Sequence, residues 1–274
     1  MKLILMGTPS FVVPIFDKVA DAHEVVAVFT RAPKPVGRKQ IITKSPVHIW
    51  AENRGIKVYT NINEFNNPEI QNQKSTINYI LVISYGVILR ENVLNFAPCI
   101  NIHPSDLPKY RGPSPIITAI YNGDEQSAVC LMQIVPEIDS GDILMRQEFI
   151  IGENETLKEI ESKVSEISTS IVLEYLRTPE KYPPVSQIGI PSFTRKFTGK
   201  DEVIDWSQSS KQIHNQVRSI TGRTKINGID VKILETKIID GKLEILRIQP
   251  AGKKPMRWTD FKNGLRGEKI EIGK

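Results

Sequence analysis

The sequence lacks the features that would place it in a membrane, outside the cell or around a metal ion. No apolar run approaches the roughly 18 residues of a membrane span. The apolar stretch at residues 3–6 is shorter than the roughly seven to fifteen residues of a secretion signal, so it predicts a buried strand. Only two cysteines occur, Cys99 and Cys130. Both stand in apolar surroundings, so we expect reduced core thiols in a cytoplasmic protein without a membrane anchor.

Motifs for metals and nucleotides are also missing. No CxxC, HExxH or clustered His/Cys spacing is present, so we expect no metal. Gly7-Thr8-Pro9 closes the first predicted strand, but no GxGxxG follows it and no P-loop pattern occurs. A dehydrogenase or a kinase is therefore disfavoured.

Charge is plentiful but unevenly divided along the 274 residues. Residues 1–194 hold 18 Lys and Arg against 21 Asp and Glu, whereas residues 195–274 hold 18 against 10. The net charge is therefore −3 in the first part and +8 in the second. This division predicts a catalytic or binding domain joined to a module that faces a polyanion such as nucleic acid. A solvated basic domain without a ligand explains it equally well.

Apolar strands alternate with helices in the first two-thirds of the chain. Strands are predicted at residues 3–6, 24–29, 56–59, 79–84, 99–103, 129–134 and 143–150. Helices are predicted at residues 11–20, after the N-cap Ser45, and at 155–177. This order is typical of a Rossmann-like, mostly parallel α/β sheet, which binds ligands at the carboxyl ends of its strands.

The last third of the chain differs in composition and in its predicted elements. Four prolines within residues 179–191 predict an extended linker. Beyond it we expect a helix at 210–219 and short strands at 229–234, 236–239 and 243–248, with turns at Asn227-Gly228 and Asp240-Gly241. We interpret this region as a small OB-like β-barrel. The predicted division is a catalytic domain at 1–177, a linker at 178–197 and a C-terminal domain at 198–274.

One group of polar residues has the side-chain types of an active site. Alternation along a strand places Asn101 and His103 on the same side, at the carboxyl end of a predicted strand. Asp139 lies in a turn between two later strands. These types suit acyl transfer to an amine, because Asn101 can donate to a developing oxyanion, His103 can move a proton and Asp139 can orient the imidazole. Without a G-x-S-x-G elbow or a well-placed cysteine, direct attack is the simpler mechanism.

Structural readings of the same residues remain open. His103 also fits a satisfied structural histidine at a strand end. Asn101 could be an ordinary cap, and Asp139 could cap an Asx turn.

The motif around His103 makes the sequence recognisable. Asn101-Ile102-His103-Pro104-Ser105, continued by Leu107-Pro108 and Tyr110-Arg111-Gly112 and followed by Asp139-Ser140-Gly141-Asp142, resembles the motif pair of the folate-dependent formyltransferases. The resemblance implies 10-formyltetrahydrofolate as the formyl donor. It also implies that Asn101, His103 and Asp139 are catalytic. The residues implied to bind the folate are Ser105, Asp106, Leu107, Pro108, Tyr85 and Gly86.

Other segments are similar to the members of that family that act on an initiator tRNA. These segments lie at residues 6–11, 29–39, 204–207 and 246–256. The resemblance implies initiator methionyl-tRNA as the acceptor of a monomeric enzyme. The implied tRNA contacts are Arg31, Lys34, Arg38 and Lys39. Considered without the family, residues 31–39 form a basic, Pro/Gly-punctuated segment without an acid, which a solvated flexible loop also explains.

The sequence departs from the family pattern at three places. Asp106 stands where a leucine is usual, a Trp-Pro segment is replaced at residues 219–223, and the stretch between residues 239 and 243 is short. Three other functions remain open: formyl transfer to a sugar or nucleotide amine, hydrolysis that discards the formyl group, and RNA binding by a protein with an inactive catalytic domain.

Overall fold

The structure is a computed structural model that describes residues 1–37, 39–265 and 269–273. The chain forms two compact units. The first unit comprises residues 1–113, 128–149 and 161–193, and the second comprises residues 114–127, 150–160 and the chain from 194 onward. Among the residues described, we find no helix long and apolar enough to cross a membrane.

Within the described residues, nine strands precede the C-terminal region. They are β1 (Lys2–Gly7), β2 (Glu24–Phe29), β3 (Lys34–Val36), β4 (Ile41–Thr43), β5 (Val58–Tyr59), β6 (Tyr79–Ile83), β7 (Cys99–His103), β8 (Gln126–Gln133) and β9 (Ile143–Ile150). Seven of them form a sheet in the order β5-β2-β1-β6-β7-β8-β9, and β3 pairs with β4 in a separate hairpin. The pairs from β5 to β7 are parallel. The β7–β8 pair is antiparallel, with His103 opposite Cys130.

Eight α-helices accompany these strands and the C-terminal ones within the described residues. They are α1 (Val13–Ala22), α2 (Pro46–Asn53), α3 (Pro68–Gln71), α4 (Glu91–Leu94), α5 (Pro115–Asn122), α6 (Leu157–Arg177), α7 (Ser210–Ile220) and α8 (Trp258–Gly264). The predicted cap of α2 is confirmed, because the Ser45 hydroxyl accepts a hydrogen bond from the His48 amide at 3.0 Å. The first helix begins later than predicted, because residues 10–12 form a 3₁₀ turn.

The core of the first unit lies on both faces of its central strands. Leu3, Ile4, Leu5 and Met6 of β1 are all buried, although successive side chains point to opposite faces. Burial on both faces is typical of a parallel sheet covered on either side, and it explains why the strand is continuously apolar. Both thiols are free and buried as expected, and burial raises the pKa of Cys99 to about 12 and that of Cys130 to about 11.

The second unit contains a small antiparallel sheet in the order β10 (Gly222–Ile226), β11 (Ile229–Ile239), β12 (Lys242–Pro250) and β13 (Met256–Arg257). Residues at both predicted hairpin turns adopt positive φ, with Asn227 at +48°, Gly228 at +74°, Asp240 at +49° and Gly241 at +73°. These angles are those of tight primed turns. The two sheets confirm the predicted parallel α/β sheet followed by a small β module.

The prediction of separate strands at 229–234 and 236–239 is wrong, because both segments belong to β11. The register of β11 on β12 shifts between Ile233 and Thr236. Ile233 and Thr236 are both buried although they are three positions apart. An irregularity of this kind changes which side chains face inward without ending the strand.

Candidate active site

His103 ends β7 and is only 4% exposed. Its Nε2 lies 2.9 Å from the backbone carbonyl oxygen of Tyr110. Since a carbonyl can only accept, Nε2 carries the proton of this bond. Asn101 precedes His103 by two positions on the same strand face and is half-buried. The structure therefore brings the predicted amide and imidazole to one edge of the sheet.

Asp139 reaches the same place from the segment between β8 and β9. Its Oδ2 lies 3.6 Å from Nδ1 of His103 and accepts a hydrogen bond of 2.7 Å from the amide of Gly112. Asp139 adopts φ of +47°, a left-handed conformation that Asp tolerates better than most residues. Gly141 follows in the same turn, and a Cβ there would overlap the backbone carbonyl of Gln133. A larger residue at Gly141 would therefore displace the turn.

The geometry of His103 defines the proton chemistry that is available. Both ring nitrogens face oxygen acceptors, the Tyr110 carbonyl on one side and the Asp139 carboxylate on the other. An imidazolium can donate to both. The 3.6 Å separation from Asp139 exceeds an ordinary hydrogen bond, whereas Nε2 is fully engaged. Nδ1 is therefore the ring atom that can exchange a proton with an incoming group.

The loop after His103 is held by a hydrogen bond within it and by the packing of one apolar side chain. Ser105 is completely buried, and its hydroxyl donates to the carbonyl of Lys109 at 2.6 Å. The Leu107–Pro108 peptide is cis, and the Leu107 side chain packs with Cys130 and Met132. This loop thus has a defined shape beside the imidazole, as a binding surface requires.

The unusual Asp106 is paired with a cation. Arg146 Nε donates to Asp106 Oδ1 at 2.6 Å, and a second guanidinium nitrogen lies 2.8 Å from Glu148. These carboxylates raise the pKa of the Arg146 guanidinium, and the hydrogen bond that Arg146 donates to Asp106 has the largest effect. The carboxylate of Asp106 is 43% exposed, so the pair lies at the surface. Asp106 therefore brings an ion pair and not an isolated charge to this loop.

Tyr85 and Gly86 follow β6, the strand beside β7. Tyr85 is buried, and burial raises the pKa of its hydroxyl to about 12. Its carbonyl accepts a hydrogen bond of 3.3 Å from the hydroxyl of Thr8. Arg31 Nη2 donates to the carbonyl of Gly86 at 2.5 Å. Gly86 adopts φ of +74°, and a Cβ there would lie 2.6 Å from the same guanidinium nitrogen, so glycine permits this approach.

The residues predicted to contact tRNA do not share one environment. Arg31 is bonded to the loop predicted to bind folate. Lys34 begins the β3–β4 hairpin and Lys39 lies between its strands. Arg38 lies outside the described residues. The large apolar side chains exposed on this hairpin are Val36, Ile41 and Ile42.

Sequence reasoning missed residues of the segment at 185–193, which was interpreted as part of a linker. The Ser192 hydroxyl accepts a hydrogen bond of 2.9 Å from the Tyr110 amide, and the Ser192 carbonyl accepts one of 2.8 Å from the Arg111 amide. Gln187 contacts Arg111, Asp139 and Gly141. A single glutamine in a Pro-rich stretch carries no local pattern that would have revealed these contacts.

Two family models match the chain. Residues 1–176 match the formyl transferase family, and residues 196–242 match the formyl transferase C-terminal domain. The chain is a member of the formyl transferase family. The resemblance inferred from the sequence motifs is thereby confirmed. Among the residues described in this formyl transferase, no group of three or more His, Cys, Asp or Glu side chains could hold a metal ion.

Relatives of this formyl transferase match nearly its whole length. It is 35% identical to the methionyl-tRNA formyltransferase of Rickettsia bellii over 97% of each chain. Its fold is similar to that of the methionyl-tRNA formyltransferase from Clostridium thermocellum, with a TM-score of 0.67 and 17% identity over 91% of this chain and 98% of that one. It is also similar to that of an N-formyltransferase from Helicobacter canadensis solved with folinic acid and dTDP-3-aminofucose, with a TM-score of 0.66 and 24% identity over 88% of each chain.

Proposed function

We propose that this enzyme transfers the formyl group of 10-formyltetrahydrofolate to the free α-amino group of initiator methionyl-tRNA. The observation that carries the proposal is the 35% identity, over 97% of both chains, to a protein named methionyl-tRNA formyltransferase. The net charge of +8 in residues 195–274 supports a polyanionic acceptor over a small sugar. We assign catalysis to residues 1–177 and tRNA binding to residues 198–274, joined by 178–197.

The folate is assigned to the two loops that follow β6 and β7. These strands are adjacent and parallel, so the loops leave the same edge of the sheet. Ser105, Asp106, Leu107 and Pro108 form one wall in this proposal, and Tyr85 and Gly86 form the other. The support for this assignment is a loop whose shape is held by the buried Ser105 and a glycine that lets the Arg31 guanidinium approach the other loop. The folate supplies an activated formyl carbon.

In this proposal, residues of the chain stabilise the charge and move the proton of an acyl transfer. As the methionine amine forms its bond to the formyl carbon, negative charge develops on the formyl oxygen. The Asn101 amide and protonated His103 donate to that oxygen. The amine loses a proton, the bond to the folate nitrogen breaks, and that nitrogen gains a proton. Nδ1 of His103 gives its proton to the leaving folate nitrogen and takes up the proton that the amine loses, or a water aided by Asp139 carries that proton.

We assign binding of the acceptor tRNA to basic side chains outside the folate-binding loops as well. Lys34, Arg38 and Lys39 would contact phosphates, and Arg31 would extend from that segment to the folate loop. The enzyme would act as a monomer in the cytoplasm, where charged initiator tRNA is used. A basic contact surface of this kind makes tRNA binding depend on salt.

The deciding experiment measures formyl transfer with purified protein. The donor is 10-formyltetrahydrofolate, and the acceptors compared are charged methionyl initiator tRNA, the same tRNA uncharged and a dTDP-linked amino sugar. We expect rapid formylmethionine formation with the charged tRNA alone. Transfer to the sugar amine alone would favour the alternative acceptor. Donor cleavage without an acceptor would indicate hydrolysis, and no reaction at all by folded protein would favour an RNA-binding role.

A further inference from the structure

An extended segment of the first unit, residues 185–193, is tied to both loops of the candidate site. At its beginning, Val185 and Ile143 exchange backbone hydrogen bonds of 2.8 and 2.9 Å, just beyond the turn that carries Asp139. Near its end, the Ser192 amide donates to the Pro108 carbonyl at 3.2 Å, in the loop that follows His103. The segment therefore spans the two pieces of chain that must stay in register for the site to form.

Polar contacts and not burial hold this segment in place. Ile188 and Ile190 are 87% and 93% exposed, whereas the polar Gln187 between Ser186 and Ile188 is half-buried. A segment that buried its apolar side chains would show the reverse pattern. Gln187 is therefore the residue whose side-chain contacts can hold this segment against the rest of the first unit.

The Gln187 side chain uses its full hydrogen-bonding capacity. Its Nε2 donates to the backbone carbonyls of Asp139 and Gly141, each at 2.8 Å. Its Oε1 accepts from Nε and Nη2 of Arg111 at 3.1 and 2.8 Å. An amide has two N–H donors and two acceptor lone pairs, so all four are satisfied. One side chain thus connects the Asp139 turn with the Arg111 loop.

The Asp139 turn and the Arg111 loop also orient the side chains of Asp139 and His103. Tyr110, next to Arg111, supplies the carbonyl that binds Nε2 of His103, and Gly112 donates to the carboxylate of Asp139. Asp139 itself holds a left-handed backbone, which persists only when its surroundings impose it. Both backbone carbonyls that Gln187 binds belong to that turn.

We propose that Gln187 is a positioning residue that keeps the Asp139 carboxylate within reach of His103. Its catalytic consequence rests on the proposed formyl transfer. Loss of the bridge lets the turn relax away from Nδ1. A displacement of about 1 Å in such a pair can lower a rate by about 100-fold.

The test is a double-mutant cycle of Q187L and D139N, with kcat and both KM values measured for formylation of methionyl-tRNA. Q187L removes all four bonds. Q187E keeps an acceptor for Arg111 but replaces the donors to the two carbonyls, so it separates loss of the donors from loss of the whole bridge. Q71L is the matched control, because Gln71 also donates to a backbone carbonyl, that of Phe65 at 2.8 Å, outside the site.

We expect Q187L and Q187E each to lower kcat by about 10- to 30-fold, no more than the loss of Asp139 itself, while changing either KM by less than about threefold. In the D139N background, Q187L should lower kcat by less than about twofold, because the group that it positions is already gone. Q71L should retain the wild-type kcat. Fully additive losses, or a Q187L enzyme within about twofold of wild type, would overturn the inference.

A second readout does not depend on activity. The ring ¹⁵N resonances of His103 should change in Q187L and Q187E but stay at their wild-type positions in Q71L. Unchanged resonances in folded Q187E would refute the positioning role. An inactive wild-type protein would instead refute the proposed function, and the resonances would then decide the structural inference alone.

Discussion

Replacement of Asp139 by Asn tests the site with the smallest change of shape. Asparagine has the same size, can still accept from the Gly112 amide and tolerates the left-handed backbone at φ of +47°. The substitution therefore removes mainly the negative charge 3.6 Å from Nδ1 of His103. Two unit charges about 4 Å apart interact by about 4 kcal/mol at an effective dielectric constant of about 20. The Asp139 side chain is 21% exposed, so screening reduces this value, and we take about half.

A loss of about 2 kcal/mol corresponds to a roughly 30-fold lower kcat. The assay is the initial rate of methionyl-tRNA formylation at saturating donor and acceptor, with thermal unfolding measured on the same preparations. Because Asp139 acts on His103 and not on either substrate, both KM values should change by less than about threefold. A D139N enzyme with a kcat within about twofold of wild type would refute the electrostatic coupling of Asp139 to His103.

Three further predictions concern the surroundings of the site. R31A removes the hydrogen bond to the Gly86 carbonyl, so it should raise the KM for the folate donor by about three- to tenfold in initial-rate measurements. An unchanged KM for the donor would indicate that Arg31 contributes to tRNA binding alone. Burial raises the pKa of Cys130 to about 11 and that of Cys99 to about 12. At pH 8, at most about 0.1% of either thiol is therefore ionised. A disulfide reagent should consequently react with these thiols only after denaturant is added. If about four phosphate contacts form, tRNA affinity should fall roughly 50- to 150-fold from about 50 to about 200 mM salt in filter-binding measurements. A flat response would argue against the basic surface.

The elements predicted well are those whose cause is local. Ser45 caps α2 because its hydroxyl meets an amide three residues away, and Asn227-Gly228 forms a turn because both residues tolerate positive φ. The motif at Asn101 and His103 also depends on neighbouring residues, since alternation along β7 places both on one face.

Features set by distant parts of the chain were not accessible in this way. The bond between Arg31 and Gly86 joins residues 55 positions apart, and that between Arg111 and Gln187 joins residues 76 apart. Neither pair belongs to a periodic pattern. The register shift in β11 likewise depends on its pairing with β12, so the sequence alone predicts two short strands, 229–234 and 236–239, where the structure has one.

The central claim is that Asn101 and His103 carry formyl transfer to methionyl-tRNA. The most direct measurement is the single-turnover rate of that transfer by N101A, with enzyme in excess and with far-UV circular dichroism to verify the fold. Asn101 is half-buried at the sheet edge, so truncation should leave the fold intact while removing a donor to the oxyanion. We predict a rate about 100- to 1,000-fold below wild type. A folded N101A enzyme that keeps more than about a tenth of the wild-type rate would contradict the account.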